Sequence, residues 1–453
     1  MPMSVDTGTG LPRTAETIPL RRALPGFLRD PLGGFEEIGR RANGGVVRVN
    51  LGAIRPYLVT RPEHVQHVMQ DHAANYVREG WLWKPLSRLI GEPSGSDPLW
   101  WVKRETFQTV VSGPSVAAFA DDMAEAIVRA VGEMAERAEG GRPVDAMDEM
   151  ARIIYRAITR IFIGDKITIA QADRLGAALR AASAALRPRL ALPFVPDSVP
   201  LPGDRAFRRA VQAVDGIVFP IVEEAVRRGA DGDDIVSMLI RARDPDGNGF
   251  DLRQLRDGVV SLFVAGTETT TIALTFLWQV LAERPEVAER LYEEVDRVVG
   301  DGPPRGVHLP RLRYAKMAAQ EMLRVFPPGW MLPRFVREDD VIGGVRIEGG
   351  GIVVVSPYLT HRLPDVWEDP GVFDPERFLP GRERHRFAYV TFGGGPHGCV
   401  GKHFFTVETQ FVIAAVLSRF RVRPVGSPDP RPALGLTLRP RERLRITLHP
   451  RGR

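Results

Sequence analysis

The chain has 453 residues and a single cysteine, Cys399. No intrachain disulfide can form, and a reducing cytoplasm is the natural setting for such a chain. Charge of one sign is also scarce: 61 Lys and Arg stand against 56 Asp and Glu, a net +5, which is too mild to imply a nucleic-acid partner. No uninterrupted apolar run reaches about 18 residues, the length a membrane crossing needs, and residues 1–10 are polar. Neither a signal peptide nor a transmembrane anchor is expected. No repeat, low-complexity tract or linker divides the chain, so the expectation is one large domain over residues 1–453.

What is present is helix-forming sequence. Segments rich in Ala, Leu, Arg and Glu at 122–139, 170–187 and 204–228 carry the middle of the chain, and short Val/Ile/Arg runs at both ends read as strands. The fold class expected is mainly α with a minor β region of small antiparallel sheets. Residues 190–202 (LALPFVPDSVPLP) are apolar and proline-rich. They read as a lid, or as a segment that grazes a membrane; the absence of a basic amphipathic helix there favours the lid.

The lone cysteine sits in residues 392–401, FGGGPHGCVG, ahead of an apolar helical run at 400–420. A lone intracellular cysteine is commonly a small buried hydrophobe. A thiol between Gly398 and Gly401 at a helix start, however, has backbone N–H groups and the positive helix end beside it, which favours an anionic metal ligand. Gly393, Gly395 and Gly398 also satisfy G-x-G-x-x-G after a strand-like run at 387–392, the pattern of a dinucleotide site. Pro396 in the turn and the short chain beyond Gly401 weigh against that reading; Arg419, Arg421 and Arg423 keep an NADP variant of it open.

Two further motifs lie upstream. Residues 265–270, AGTETT, fall within a long apolar helical run at 251–284, and Glu321-x-x-Arg324 lies on a helix at 312–326, followed by Pro375-Glu376-Arg377-Phe378. Residues i and i+3 share a helix face, so Glu321 and Arg324 can pair, buried or merely solvated.

Phe392, Gly395, His397, Cys399 and Gly401, with AGTETT, E-x-x-R and PERF in this order and spacing, resemble the cytochrome P450 family over nearly the whole chain, in its soluble bacterial form. The resemblance implies the cytochrome P450 fold and haem b (iron protoporphyrin IX), with Cys399 as the iron ligand. Phe392, Gly393, Gly401 and Ala265 would border the haem. Arg104, His397 and Arg334 would hold its propionates, with Trp100; Trp101 leaves that register open by one residue. Thr269 and Glu268 would deliver protons to bound dioxygen, and Gly266 would let the helix open locally. Glu321, Arg324 and Arg377 would form a buried structural triad. Trp81, Trp83, Leu262, Phe263, Ala265, Trp330, Met331, Leu332 and Leu436 would line an apolar substrate pocket.

The activity implied is monooxygenation of a lipophilic small molecule, in secondary metabolism. Electrons would come from a ferredoxin- or flavodoxin-type donor with its NAD(P)H reductase, met by a basic rim of Lys103, Arg104, Arg382, Arg384, Arg386, Lys402 and His403. A haem-thiolate isomerase, dehydratase or peroxide-using enzyme and a haem-free NADP-binding protein are the competing readings.

Overall fold

A computed structural model describes residues 12–451 apart from 80–82, 92–97, 193–194, 231, 233, 428 and 430. Its contacts divide the chain into two compact units, each built from segments distant in sequence. The first comprises Met1–Arg78, Met331–Pro370 and Arg384–His397, and the second Glu79–Trp330, Gly371–Glu383 and Gly398–Arg453.

The first unit holds a six-stranded sheet in the order Glu16–Ile18, Val47–Val49, Tyr57–Val59, Ile352–Val355, Leu332–Val336, Tyr76–Val77. The expected small sheets are there, but this one is mixed rather than antiparallel. Val47–Val49 runs parallel to Glu16–Ile18, and Val353 pairs with Tyr57 in parallel register. Those partners are separated by long stretches of chain, which is what parallel pairing requires, whereas tight hairpins give antiparallel pairs. One face of the sheet packs Tyr57, Val59, Val353 and Val355 against Val65, Val68 and Met69. The last three come from Pro62–Gln66, an α-helical segment that continues as a π-helical turn, His67–Asp71.

The second unit is helical. Its longest element, Leu252–Glu283, opens with a capping box in which Asp251 accepts the Gln254 N–H at 2.7 Å and Gln254 accepts the Asp251 N–H at 2.9 Å. Every residue from Thr270 to Val280 is buried, the mark of a core helix enclosed on all sides. By length and apolarity it is the one helix among the described residues that could cross a membrane, yet 67% of its most apolar window lies inside the protein. The other middle helices, Ala120–Arg137, Ile169–Ala185 and Asp204–Arg227, fall within two residues of the ranges read from sequence.

Helix Arg313–Val325 carries Glu321 and Arg324, both with no exposed side-chain surface. Arg324 donates to Glu321 from Nε at 2.7 Å and from Nη2 at 2.8 Å, a two-point match of planar groups. Arg377, in the short 3-10 turn Pro375–Phe378, brings Nε within 3.4 Å of the same carboxylate. Arg324 also reaches the Val372 carbonyl, and Glu321 accepts the Asp374 N–H at 2.9 Å. The expected triad thus exists as a geometry and ties segment 371–378 to the helix.

Removing one member strands the others without solvent. Glu321→Ala or Arg324→Ala should lower stability by about 3–5 kcal/mol, read as a shift in the denaturant midpoint; a change under about 1 kcal/mol, the range of an exposed pair, would overturn this reading.

Candidate active site

Cys399 is exposed, so it is not the buried hydrophobe that a lone cysteine commonly is. Three residues on, helix Lys402–Leu417 begins, with Gly401 as its N-cap. The loop before it is held in shape by glycine: Gly393 and Gly395 have φ of 65° and 60°, a left-handed conformation that L side chains rarely adopt. A Cβ at Gly395 would also collide with the Met69 carbonyl. The run at 387–392, read as a strand from sequence, forms none. Phe387, Ala388 and Val390 bury their side chains, but the Val390 N–H donates to His361 Nε2 at 3.0 Å rather than to a neighbouring strand. The dinucleotide reading therefore loses the strand that must precede its turn.

Arg104 and Trp100 share helix Pro98–Val110. Arg104 donates to the Gly398 carbonyl at 2.7 Å and lies 5.7 Å from the Trp100 ring. Burial pulls its pKa down, opposed by the charge it would meet at Cys399, so a guanidinium stands beside the sulfur. Trp100 is buried and packs with Arg104, whereas Trp101 is exposed.

In the first unit, Arg334 is almost fully enclosed. It donates to the Pro333 carbonyl at 2.8 Å and the Met69 sulfur at 3.3 Å, both neutral. Burial, aided by the nearby Arg78, holds its pKa well below the usual arginine range. Arg78 in turn donates to the His397 carbonyl at 2.9 Å. Sequence reading passed over Arg78; its only local signal is an arginine directly after strand Tyr76–Val77.

Along Leu252–Glu283 the face bearing Ser261, Val264, Ala265, Glu268 and Thr269 stays partly open, while Leu262, Phe263, Thr267 and Thr270 are buried. Leu262 and Phe263 are buried, Phe263 packing edge-on to Phe162 at 6.4 Å. The helix is unbroken at Gly266, contrary to the expected local opening. Thr267, Thr269 and Thr270 return their hydroxyls to the carbonyls four residues back, at 2.7, 2.9 and 3.0 Å, a bond that loosens a helix without breaking it.

Glu268 is not left to solvent. Its Oε1 accepts from Arg439 Nη2 at 2.6 Å and from Thr437 Oγ1 at 2.8 Å. Behind it a cavity of about 120 Å³ is lined by Tyr155, Arg180, Thr267, Glu268, Thr271 and Arg439. A second carboxyl, Glu408 of Lys402–Leu417, is wholly buried beside Thr270, and burial pushes its pKa well above the carboxylate range. Arg439, Thr437 and Glu408 were not legible as site residues.

The remaining expected pocket residues scatter. Trp81 lies outside the described residues. Trp83 is the N-cap of helix Lys84–Ile90. Trp330 is buried, its indole N–H donating to the Gly435 carbonyl at 2.9 Å, whereas Met331 and Leu436 are exposed. Leu332 packs against the core of the first unit. Of the basic residues, Arg382, Arg386, Lys402 and His403 are exposed, but Arg384 stacks on Trp367 at 4.5 Å.

The lid segment has an anchor that sequence did not reveal. Buried Arg189 donates to both oxygens of Asp204, at 3.0 and 2.6 Å, and to the carbonyls of Val195, Pro196 and Val199. Its guanidinium holds the Asp204 carboxyl down at about 2, so the anchor is charged at any physiological pH.

The cytochrome P450 family model matches residues 24–448. The chain is 33% identical to cyclooctat-9-en-7-ol 5-monooxygenase of Streptomyces melanosporofaciens over 85% of this chain and 84% of that one. It is 31% identical to cyclooctatin synthase of the same organism, over 90% of each chain, and 28% identical to pentalenene oxygenase of Streptomyces avermitilis, over 91% and 92%. Among solved structures it is similar to the cytochrome P450DA heme domain, with a TM-score of 0.84 at 21% identity over 97% of this chain and 98% of that one.

Arg189→Gln should release segment 190–202 while leaving the helices folded. Limited proteolysis at neutral pH should then cut within 190–202 at least about tenfold faster, since one side chain supplies several of the bonds that close the segment; unchanged cleavage would mean that the loop is held by its own packing.

Proposed function

The chain belongs to the cytochrome P450 family, and from that premise we propose that it oxygenates a cyclic, terpenoid-type lipophilic molecule, with electrons from a separate ferredoxin- or flavodoxin-type protein. The relatives support the substrate class: their names specify an oxygenated ring alcohol and an unsaturated hydrocarbon. The observation that carries the reaction type is the open face of Leu252–Glu283, where an alcohol and an acid, Thr269 and Glu268, stand in sequence beside Ala265. An isomerase or dehydratase has no use for proton delivery at that point, and the relatives are named as oxygenases. The family model spans segments of both units, so residues 1–453 are read as one haem domain. The cytoplasm is the proposed compartment, supported by a cysteine count that allows no intrachain disulfide and by the buried position of the apolar helix Leu252–Glu283.

The residues present fit haem. Arg334 is a buried cation beside another cation, bonded only to neutral partners, and such a group calls for an anion; a propionate would supply one. Cys399 is an exposed thiol ahead of a helix N-terminus with Arg104 beside it, the charge setting a thiolate ligand needs. Arg104, Arg334 and His397 would hold the propionates, Trp100 supporting Arg104. Phe392, Gly393, Gly401 and Ala265 would border the ring. Bound haem, with a thiolate ligand donating electron density, supplies the activation of dioxygen.

The chain's own part is to place and move protons. Thr269 Oγ1 now donates to the Ala265 carbonyl; to hand a proton to oxygen it must turn from that bond. Glu268 is held by Arg439 and Thr437 next to the small cavity, where water can reach it. Releasing Arg439 frees the carboxylate to carry a proton from that side of the helix to the Thr269 side. Exposed Arg382, Arg386, Lys402 and His403 would offer positive charge to an acidic donor protein.

Cys399→Ser should abolish the red-shifted Soret band of the reduced carbon monoxide complex; a normal band in the variant would remove Cys399 as ligand. Thr269→Ala should keep haem content and substrate affinity but lose coupling, with less product per NADPH and more hydrogen peroxide. Glu268→Gln should slow turnover by about 10²–10⁴-fold, and unchanged rate and coupling in both variants would make AGTETT a structural segment.

A further inference from the structure

A second cluster lies apart from the residues discussed so far, on the first unit. His67 and His72 bracket the π-helical turn His67–Asp71, whose closing bond runs from the His72 N–H to the His67 carbonyl at 2.9 Å. In an α-helix residues five apart point about 140° away from each other. The extra residue in a π turn removes that offset, and the two imidazoles come face to face, centroids 3.9 Å apart and 12° from parallel. Asp340, at the start of the hairpin strand Asp340–Ile342, closes the group: its Oδ2 lies 2.7 Å from His67 Nε2 and 3.8 Å from His72 Nδ1.

The carboxylate is aimed by its surroundings. Buried Tyr76 donates its hydroxyl to Oδ2 at 2.7 Å, and the Val341 N–H donates to Oδ1 at 2.7 Å. A ligating carboxylate oriented by further hydrogen bonds is the pattern of metal sites.

We propose that His67, His72 and Asp340 bind a divalent transition ion of the zinc, cobalt or nickel type, with water in the remaining position. Ligand atoms around such an ion stand about 3.3 Å apart, from bonds of about 2.0–2.2 Å. All three donor atoms here lie within 4.8 Å of one another, and His72, which is half-exposed, has room to turn its ring out of the stack so that its in-plane lone pair meets the ion. Occupancy would clamp the π turn to the hairpin. The same turn carries Met69, whose sulfur accepts from Arg334 and whose carbonyl lies where Gly395 lacks a Cβ, so the clamp would also stiffen the backing of the glycine loop.

The test is equilibrium dialysis of the haem-loaded protein against Zn²⁺ at pH 7.5, followed by metal analysis. One equivalent should be retained, and affinity should fall as pH drops below about 6.5, where histidine takes up its proton. His72→Ala and Asp340→Asn should each weaken retention at least about tenfold, Tyr76→Phe should do so about tenfold as a supporting group, and His449→Ala should leave it unchanged. The temperature of haem loss should rise with Zn²⁺ in the wild type and not in His72→Ala. His72 is a surface residue, so this variant decides the matter even if Asp340→Asn loads haem poorly. No retained zinc, or equal retention in wild type and His72→Ala, overturns the proposal and leaves His67 and Asp340 as a plain ion pair.

Discussion

One carboxylate organises the second unit. Glu321 has no exposed surface, yet it receives two N–H groups of Arg324, lies within ion-pair distance of Arg377 and accepts the Asp374 backbone N–H. A charge in that position is shielded from solvent, so displacing segment 371–378 from the helix would leave it uncompensated. Burial of this kind contributes little net stability relative to an apolar core, but it makes misplacement costly, which is what a segment without regular secondary structure needs.

The long helix Leu252–Glu283 resolves a conflict of its own. Its C-terminal half is enclosed on all sides, while around Ala265–Thr269 it presents a polar, partly open face. Threonine back-bonding keeps the helix continuous there and leaves hydroxyls one rotation away from a different partner. Acid function is divided between two carboxyls by environment. Glu268 is bonded to Arg439 beside a cavity, whereas Glu408 is wholly buried beside Thr270, and burial pushes its pKa well above the carboxylate range. The first borders space that water can enter; the second is enclosed in the packing.

Arginine does much of the remaining positioning, each time against a different kind of partner. Arg189 gathers the carbonyls of Val195, Pro196 and Val199, Arg104 meets the carbonyl before Cys399, and Arg334 has only neutral partners among the described residues. The planar five-donor fork suits all three tasks. It is the arginine lacking an anion that signals a ligand, and the arginine rich in carbonyls that signals a staple.

The amino-acid sequence determined the elements whose requirements are local. Glycines around Cys399 with a helix after it, Glu268 beside Thr269 on one helix, and the i, i+3 pair Glu321–Arg324 are all readable within short windows, because each depends only on residues close in the chain. The tertiary structure decided everything that depends on groups distant in the chain. Arg439 stands 171 residues from Glu268 and Asp340 stands 273 from His67, and no local pattern predicts either pairing. The structure also reversed readings in which a local preference met a stronger constraint. The apolar run at 387–392 is strand-like by composition, but its side chains are spent on a core and its Val390 amide on His361. Phe263 is apolar on an active helix, but helical phase turns it inward against Phe162. Composition fixes what a segment prefers; packing fixes which way it faces, because a side chain's direction is set by the partners that exclude water from it.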